Sequence, residues 1–258
     1  MIKEYIESVN RRGDKVLSVF LTAGFPVKED FVSLALKVLD AGADMLEIGI
    51  PFSDPLADGP VIQQSSQSAI NNGVTTADVL RFAAGIRAKT DKPLILMGYG
   101  NPVLNYGREK FFNDAATAGV NGLIIPDVPV EEYDDFFAAK PDELEAIMLV
   151  TPQSGDARIR EIDSISKGFV YCVSVSGTTG ARDGFSESEL QTLAKTREKI
   201  TENRMLVGFG ISGPETAKQV LPFSDGIIVG SAVIKRLLND NGNGAIELVS
   251  ELSAACSG

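Results

Sequence analysis

A chain of 258 residues with 24 basic and 35 acidic side chains is long for an ordinary domain but within the span of one α/β barrel. Its basic residues cluster no further than pairs such as Arg11-Arg12 and Lys235-Arg236, which argues against nucleic acid or an anionic membrane as partner and for a small substrate. Histidine is absent and only two cysteines occur, which removes Ser-His-Asp triads, His-metal schemes and a disulfide framework and leaves acid/base chemistry to carboxylates, Tyr or Lys.

The N-terminal segment to Asn10 is polar and amphipathic, and is predicted to be a helix covering a barrel end. It does not resemble a signal peptide, and no apolar run approaches the roughly 20 residues that span a bilayer, so a soluble, cytoplasmic protein is expected. Short apolar segments follow at residues 17–22, 45–50, 94–97, 122–126, 146–150, 169–175, 205–209 and 226–229. Between them apolar residues recur at intervals of three and four, as at Phe31, Leu34, Ala35, Val38 and Leu39, with Gly42 as a helix stop. Cys172 falls inside one of the apolar segments, as a buried thiol would. The stretch AGADMLEI from Ala41 resembles AGVNGLII from Ala118, as two equivalent helix-to-strand joints should. Strand-helix units repeated without linker or composition break predict a single (β/α)8 TIM barrel over residues 1–258, with residues 245–255 as a further helix across a barrel end. An open doubly wound sheet would use about five or six strands.

The most informative stretch is EIGIPFSDPLADGP, from Glu47 to Pro60. Met45, Leu46, Ile48 and Ile50 describe a strand covered on both faces, and a carboxylate inside it is costly unless used or paired. Glu47 is therefore a candidate for chemistry at the end of that strand, with a structural carboxylate bonded to a polar neighbour as the alternative. Asp58 lies in the rigid, acidic loop that follows, and no Lys or Arg occurs from Val38 to Leu80. An Asp-Gly pair is also an ordinary turn signal.

Three glycine-rich turns come later. GFGISGPE from Gly208 and VGSA from Val229 follow the last two strands, where barrels bind phosphate through backbone N–H groups and a helix N-terminus; ordinary turn chemistry is the alternative. SVSGTTGARDGF from Ser174 is longer and is expected to be a mobile lid or a plain connection. Tyr171 points into the barrel or fills its core.

In these motifs the chain resembles the tryptophan synthase alpha subunit family over essentially its whole length. LMGYGNPVL from Leu96, IIPDVPVEE from Ile124, SVSGTTGAR and GFGIS stand in the family's order beside EIGIPFSDPLADGP. The resemblance implies a lyase that cleaves indole-3-glycerol phosphate to indole and D-glyceraldehyde 3-phosphate in tryptophan biosynthesis. It implies Glu47 and Asp58 as catalytic carboxylates. Phosphate would lie against Gly180, Gly210, Gly230 and Ser231, and Phe20, Ile62, Leu96, Ile124, Tyr171 and Phe209 would surround the indole and glycerol. Thr179 would hydrogen-bond Asp58 when the lid closes. It further implies no cofactor in this chain, and a beta subunit partner holding pyridoxal phosphate in an alpha2beta2 complex, contacted through residues 51–54. A stand-alone indole-releasing lyase, and a subunit acting mainly to bind and activate its partner, would carry the same residues. A Schiff-base aldolase is disfavoured because Lys15, Lys92 and Lys167 precede their strands.

Overall fold

The computed structural model describes residues 1–174, 184–239 and 242–258. Among them the apolar segments form β1 (Val16–Thr22), β2 (Met45–Gly49), β3 (Leu94–Met97), β4 (Gly122–Ile124), β5 (Glu145–Val150), β6 (Val170–Val173), β7 (Met205–Gly208) and β8 (Gly226–Val229). Each pairs in parallel with the next, and β8 returns to β1 to close a barrel. The helices are α1 (Ile2–Asn10), α2 (Phe31–Asp40), α3 (Pro60–Asn71), α4 (Thr76–Arg87), α5 (Gly100–Tyr106) and α6 (Arg108–Thr117), then α7 (Tyr133–Phe136), α8 (Asp156–Ile165), α9 (Glu187–Lys199), α10 (Pro214–Val220), α11 (Ser231–Asn239) and α12 (Asn243–Cys256).

Strand side chains alternate between two cores. Leu17, Val19, Leu21, Leu46, Ile48, Leu94 and Leu96 face the helical layer, whereas Val16, Met45, Ile95, Ile124, Ile147, Tyr171, Leu206 and Ile228 fill the interior. Ile2, Ile6 and Val9 of α1 join that interior cluster, so α1 plugs the N-terminal end as expected. Its start is fixed by Glu145, which accepts from the Met1 ammonium and the Ile2 N–H, both at 3.0 Å. The C-terminal helix differs from expectation: α12 covers no barrel end but packs beside α11, α10 and α2, against β1. Since α11 leans toward α3, the flank of β1 needs this cover, and Ala245, Leu248, Val249 and Leu252 supply it.

The two similar joints share their backbone. Ala41 and Ala118 both lie at φ −71°, ψ −3°, followed by Gly42 and Gly119 at φ +113° and +79°. Ala43 N–H donates to Val38 O and Val120 N–H to Ala115 O, the six-to-one bond of a Schellman cap. A side chain at the left-handed position would be strained, so glycine stops both helices there.

Candidate active site

Glu47 occupies the middle of β2 rather than its end, in register with Phe20 of β1 and Ile95 of β3. Period-2 alternation turns it inward beside Ser18, whose hydroxyl donates to Oε1 at 2.8 Å. Glu47 is fully buried, and Oε2 has no hydrogen-bond partner among the described residues. Burial disfavours the carboxylate and lifts its pKa to about 8, with the Ser18 bond opposing. At neutral pH Glu47 is a protonated acid.

Asp58 is held by the loop between β2 and α3. The loop is clamped by Ser66, whose Oγ accepts from Phe52 N–H at 2.8 Å and donates to Phe52 O at 3.0 Å. Asp58 N–H closes a turn onto Pro55 O at 3.1 Å. Its Oδ2 accepts from the Tyr99 hydroxyl at 3.0 Å, and that oxygen in turn accepts from Ala57 N–H at 3.1 Å. Burial raises Asp58 to about 6, less far than Glu47, with the Tyr99 bond favouring the ionised form. The two groups are thus separated, one neutral and one charged near pH 7.

Both carboxylates line one cavity with Phe20, Ile62, Met97, Tyr171, Phe209, Gly210, Gly230 and Ser231. An apolar wall with few polar groups is the usual make-up of a small-molecule site. Two glycines make room for its aromatics. A Cβ at Gly208 would meet the Tyr171 hydroxyl, and one at Gly49 would meet the Phe20 ring. Tyr171 and Phe209 meet edge to face at 6.0 Å between centroids. Phe209 lies at φ +71° and Gly210 at +74°. For a bulky residue that backbone costs on the order of 1–3 kcal/mol and marks a constrained turn.

Gly210 follows β7, and on the neighbouring strand Gly230 follows β8 and Ser231 opens α11. The start of α10 is satisfied internally, since Ser212 N–H and Gly213 N–H both donate to Thr216 Oγ1. Among the described residues no lysine or arginine lines the cavity, and what they offer an anion is backbone amides, the Ser231 hydroxyl and the start of α11.

The structure thus gathers Glu47, Asp58, Phe20, Ile62, Tyr171, Phe209, Gly210, Gly230 and Ser231. Two expected lining residues are placed elsewhere. Leu96 faces the helical layer, and its neighbour Met97 lines the cavity instead. Ile124 points inward but packs in the interior cluster rather than the wall. Thr179, Gly180 and most of the expected lid lie outside the described residues. Sequence reading missed Ser18, Met97 and Tyr99. The signal for Tyr99 was weak: an aromatic just beyond a strand end, within a stretch rich in Gly and Asn. Among the described residues, no three His, Cys, Asp or Glu form a cluster able to hold a metal. No helix among them is long and apolar enough to cross a membrane.

The family model for the tryptophan synthase alpha chain matches residues 6–257. The chain belongs to that family. A tryptophan synthase alpha chain of Geotalea uraniireducens is 46% identical over 226 residues, 87% of this chain and 84% of that one. The crystal structure of a tryptophan synthase alpha chain from Legionella pneumophila superposes with a TM-score of 0.89 at 35% identity, covering 99% of this chain and 96% of that one. A tryptophan synthase of M. tuberculosis in an aminoacrylate-bound form gives 0.87 at 30% identity, covering 99% and 98%. With membership in this family goes a carbon–carbon lyase activity, the cleavage of indole-3-glycerol phosphate to indole and D-glyceraldehyde 3-phosphate in tryptophan biosynthesis.

Proposed function

We propose that Glu47 is the proton donor and acceptor of this cleavage and that Asp58 is the anion beside the indole nitrogen. Glu47, neutral, protonates indole C3 and turns the ring into an indoleninium. The Asp58 carboxylate stabilises the N–H on which positive charge develops. The bond from C3 to the glycerol chain then breaks, and its electron pair restores the aromatic indole. The glycerol hydroxyl becomes the aldehyde carbonyl as its proton passes to Glu47, which ends the cycle protonated. No step is routed through a metal or cofactor. The observation that carries this reading is the buried Oε2 of Glu47, without a partner among the described residues, in the wall of the cavity that also holds Asp58. Phe20, Ile62, Met97, Tyr171 and Phe209 would enclose the ring, and Gly210, Gly230 and Ser231 the phosphate.

An alpha chain implies a second kind of chain, and the reading includes a beta subunit partner that carries pyridoxal phosphate and consumes the indole in the cytoplasm. Residues 51–54 and Leu56 would meet it, supported by Leu56 being 90% exposed at the rim of the catalytic end. The test of the catalytic assignment is Glu47→Gln. Its amide neither donates nor takes the required proton, so indole formation is expected to fall by about 10²–10⁴ while the fold remains. Turnover within about tenfold of the parent would overturn it.

A further inference from the structure

The turn after β7 combines two features that pull against each other. Phe209 has left-handed backbone, which an aromatic residue adopts only under constraint, yet its ring and the adjoining Gly210 both form cavity wall. Ser174, just past the end of β6 and almost fully buried, is the constraint. Its N–H donates to Gly208 O at 3.1 Å, and its Oγ lies 2.8 Å from Gly208 O and 2.6 Å from Phe209 O. One hydroxyl proton is shared by the two carbonyls, so the side chain holds the peptide planes on both sides of the Phe209 α-carbon. The backbone bond from Ser174 N–H reaches only Gly208. The hydroxyl alone reaches past Phe209 to the segment that presents Gly210.

We propose that Ser174 is a positioning residue for the anion-binding turn, holding Phe209 in its left-handed conformation so that Gly210 faces the cavity beside Gly230 and Ser231. Ser174 touches no substrate; it acts through the turn. The proposal rests on the reading above that phosphate lies at Gly210, Gly230 and Ser231. Ser174→Ala removes a hydrogen bond of ordinary strength. It therefore raises the Kd for glycerol 3-phosphate and the KM for indole-3-glycerol phosphate about three- to tenfold, with kcat changed less than twofold and the pH profile unmoved. A purely structural hydroxyl would lower the melting temperature and leave the Kd of the folded protein unchanged.

Calorimetry with glycerol 3-phosphate on four proteins tests this: parent, Ser174→Ala, Phe209→Gly and the double variant. In the Phe209→Gly background the left-handed backbone carries no strain, so Ser174→Ala is expected to weaken binding there by much less than in the parent. Equal Kd for the parent and Ser174→Ala, or an undiminished Ser174→Ala effect beside Gly at position 209, overturns the role of Ser174. Failure of the parent itself to bind glycerol 3-phosphate overturns the phosphate reading, and the inference with it.

Discussion

At the N-terminal end of the barrel the buried Asp163 accepts from the backbone N–H groups of Thr201, Glu202 and Asn203 at 2.7, 2.9 and 3.0 Å. Asp225 there accepts from Met205 N–H at 2.8 Å and pairs with Arg197 at 3.4 Å. In the cavity Glu47 has one serine for one oxygen and nothing described for the other, and Asp58 has one tyrosine. Glu47 is as buried as Asp163 and Asp225, and Asp58 is half-buried; satisfaction is what differs. A buried carboxylate ringed by N–H donors fixes backbone, whereas Glu47, with a single donor, keeps its proton and can give it away, and Asp58, bonded to Tyr99, holds the charge beside it. The contrast separates structural acids from chemical ones within a single fold.

Substitutions in the two regions should therefore fail in different ways. Asp58→Asn is expected to lower turnover by at least about 10², as loss of electrostatic stabilisation at developing charge does, while calorimetry finds glycerol 3-phosphate affinity within about threefold, because the proposed phosphate contacts at Gly210, Gly230 and Ser231 do not include Asp58. Asp163→Ala should do the reverse. Three amides lose a charged acceptor, and urea unfolding should show a loss of about 3 kcal/mol, with kcat of the folded protein nearly unchanged. A smaller change is expected from Tyr99→Phe. Its hydroxyl favours ionised Asp58, so its removal moves the acid limb of kcat/KM above about 6, a few-fold loss at mildly acidic pH and little at pH 8. An acid limb that moves downward would break the link between Tyr99 and Asp58.

The same contrast appears in stability. Glu47 is raised from 4.5 to about 8, so the folded state holds a proton that the unfolded state has released, and stability falls as pH rises through that window. Glu47→Gln lacks this penalty. Its melting temperature should gain on the parent steadily from pH 5 to pH 8; a constant gap would mean Glu47 titrates normally.

Much of this was legible in the sequence because strands buried on both faces are nearly unbroken apolar runs, and a lone acid such as Glu47 stands out in one. Parity was harder. Leu96 and Met97 are both apolar, and a one-residue error exchanges the helical layer for the cavity, so only the register of β3 decides between them. Tyr99 and Ser174 escaped notice because their partners Asp58 and Phe209 lie 41 and 35 residues away in sequence. No local pattern announces a bond of that range. For α12, the apolar spacing gave a helix but not the flank it covers, which depends on where α11 leaves room.

In the proposed cycle Glu47 is protonated and Asp58 ionised when substrate arrives. The most direct measurement is infrared difference spectroscopy of the parent against Glu47→Gln across pH, read beside kcat/KM. A protonated-carboxyl band assigned to Glu47 should disappear with a midpoint near 8, coincident with the alkaline limb of activity, while the acid limb falls near 6. A Glu47 already ionised at pH 6, with activity undiminished, would contradict it.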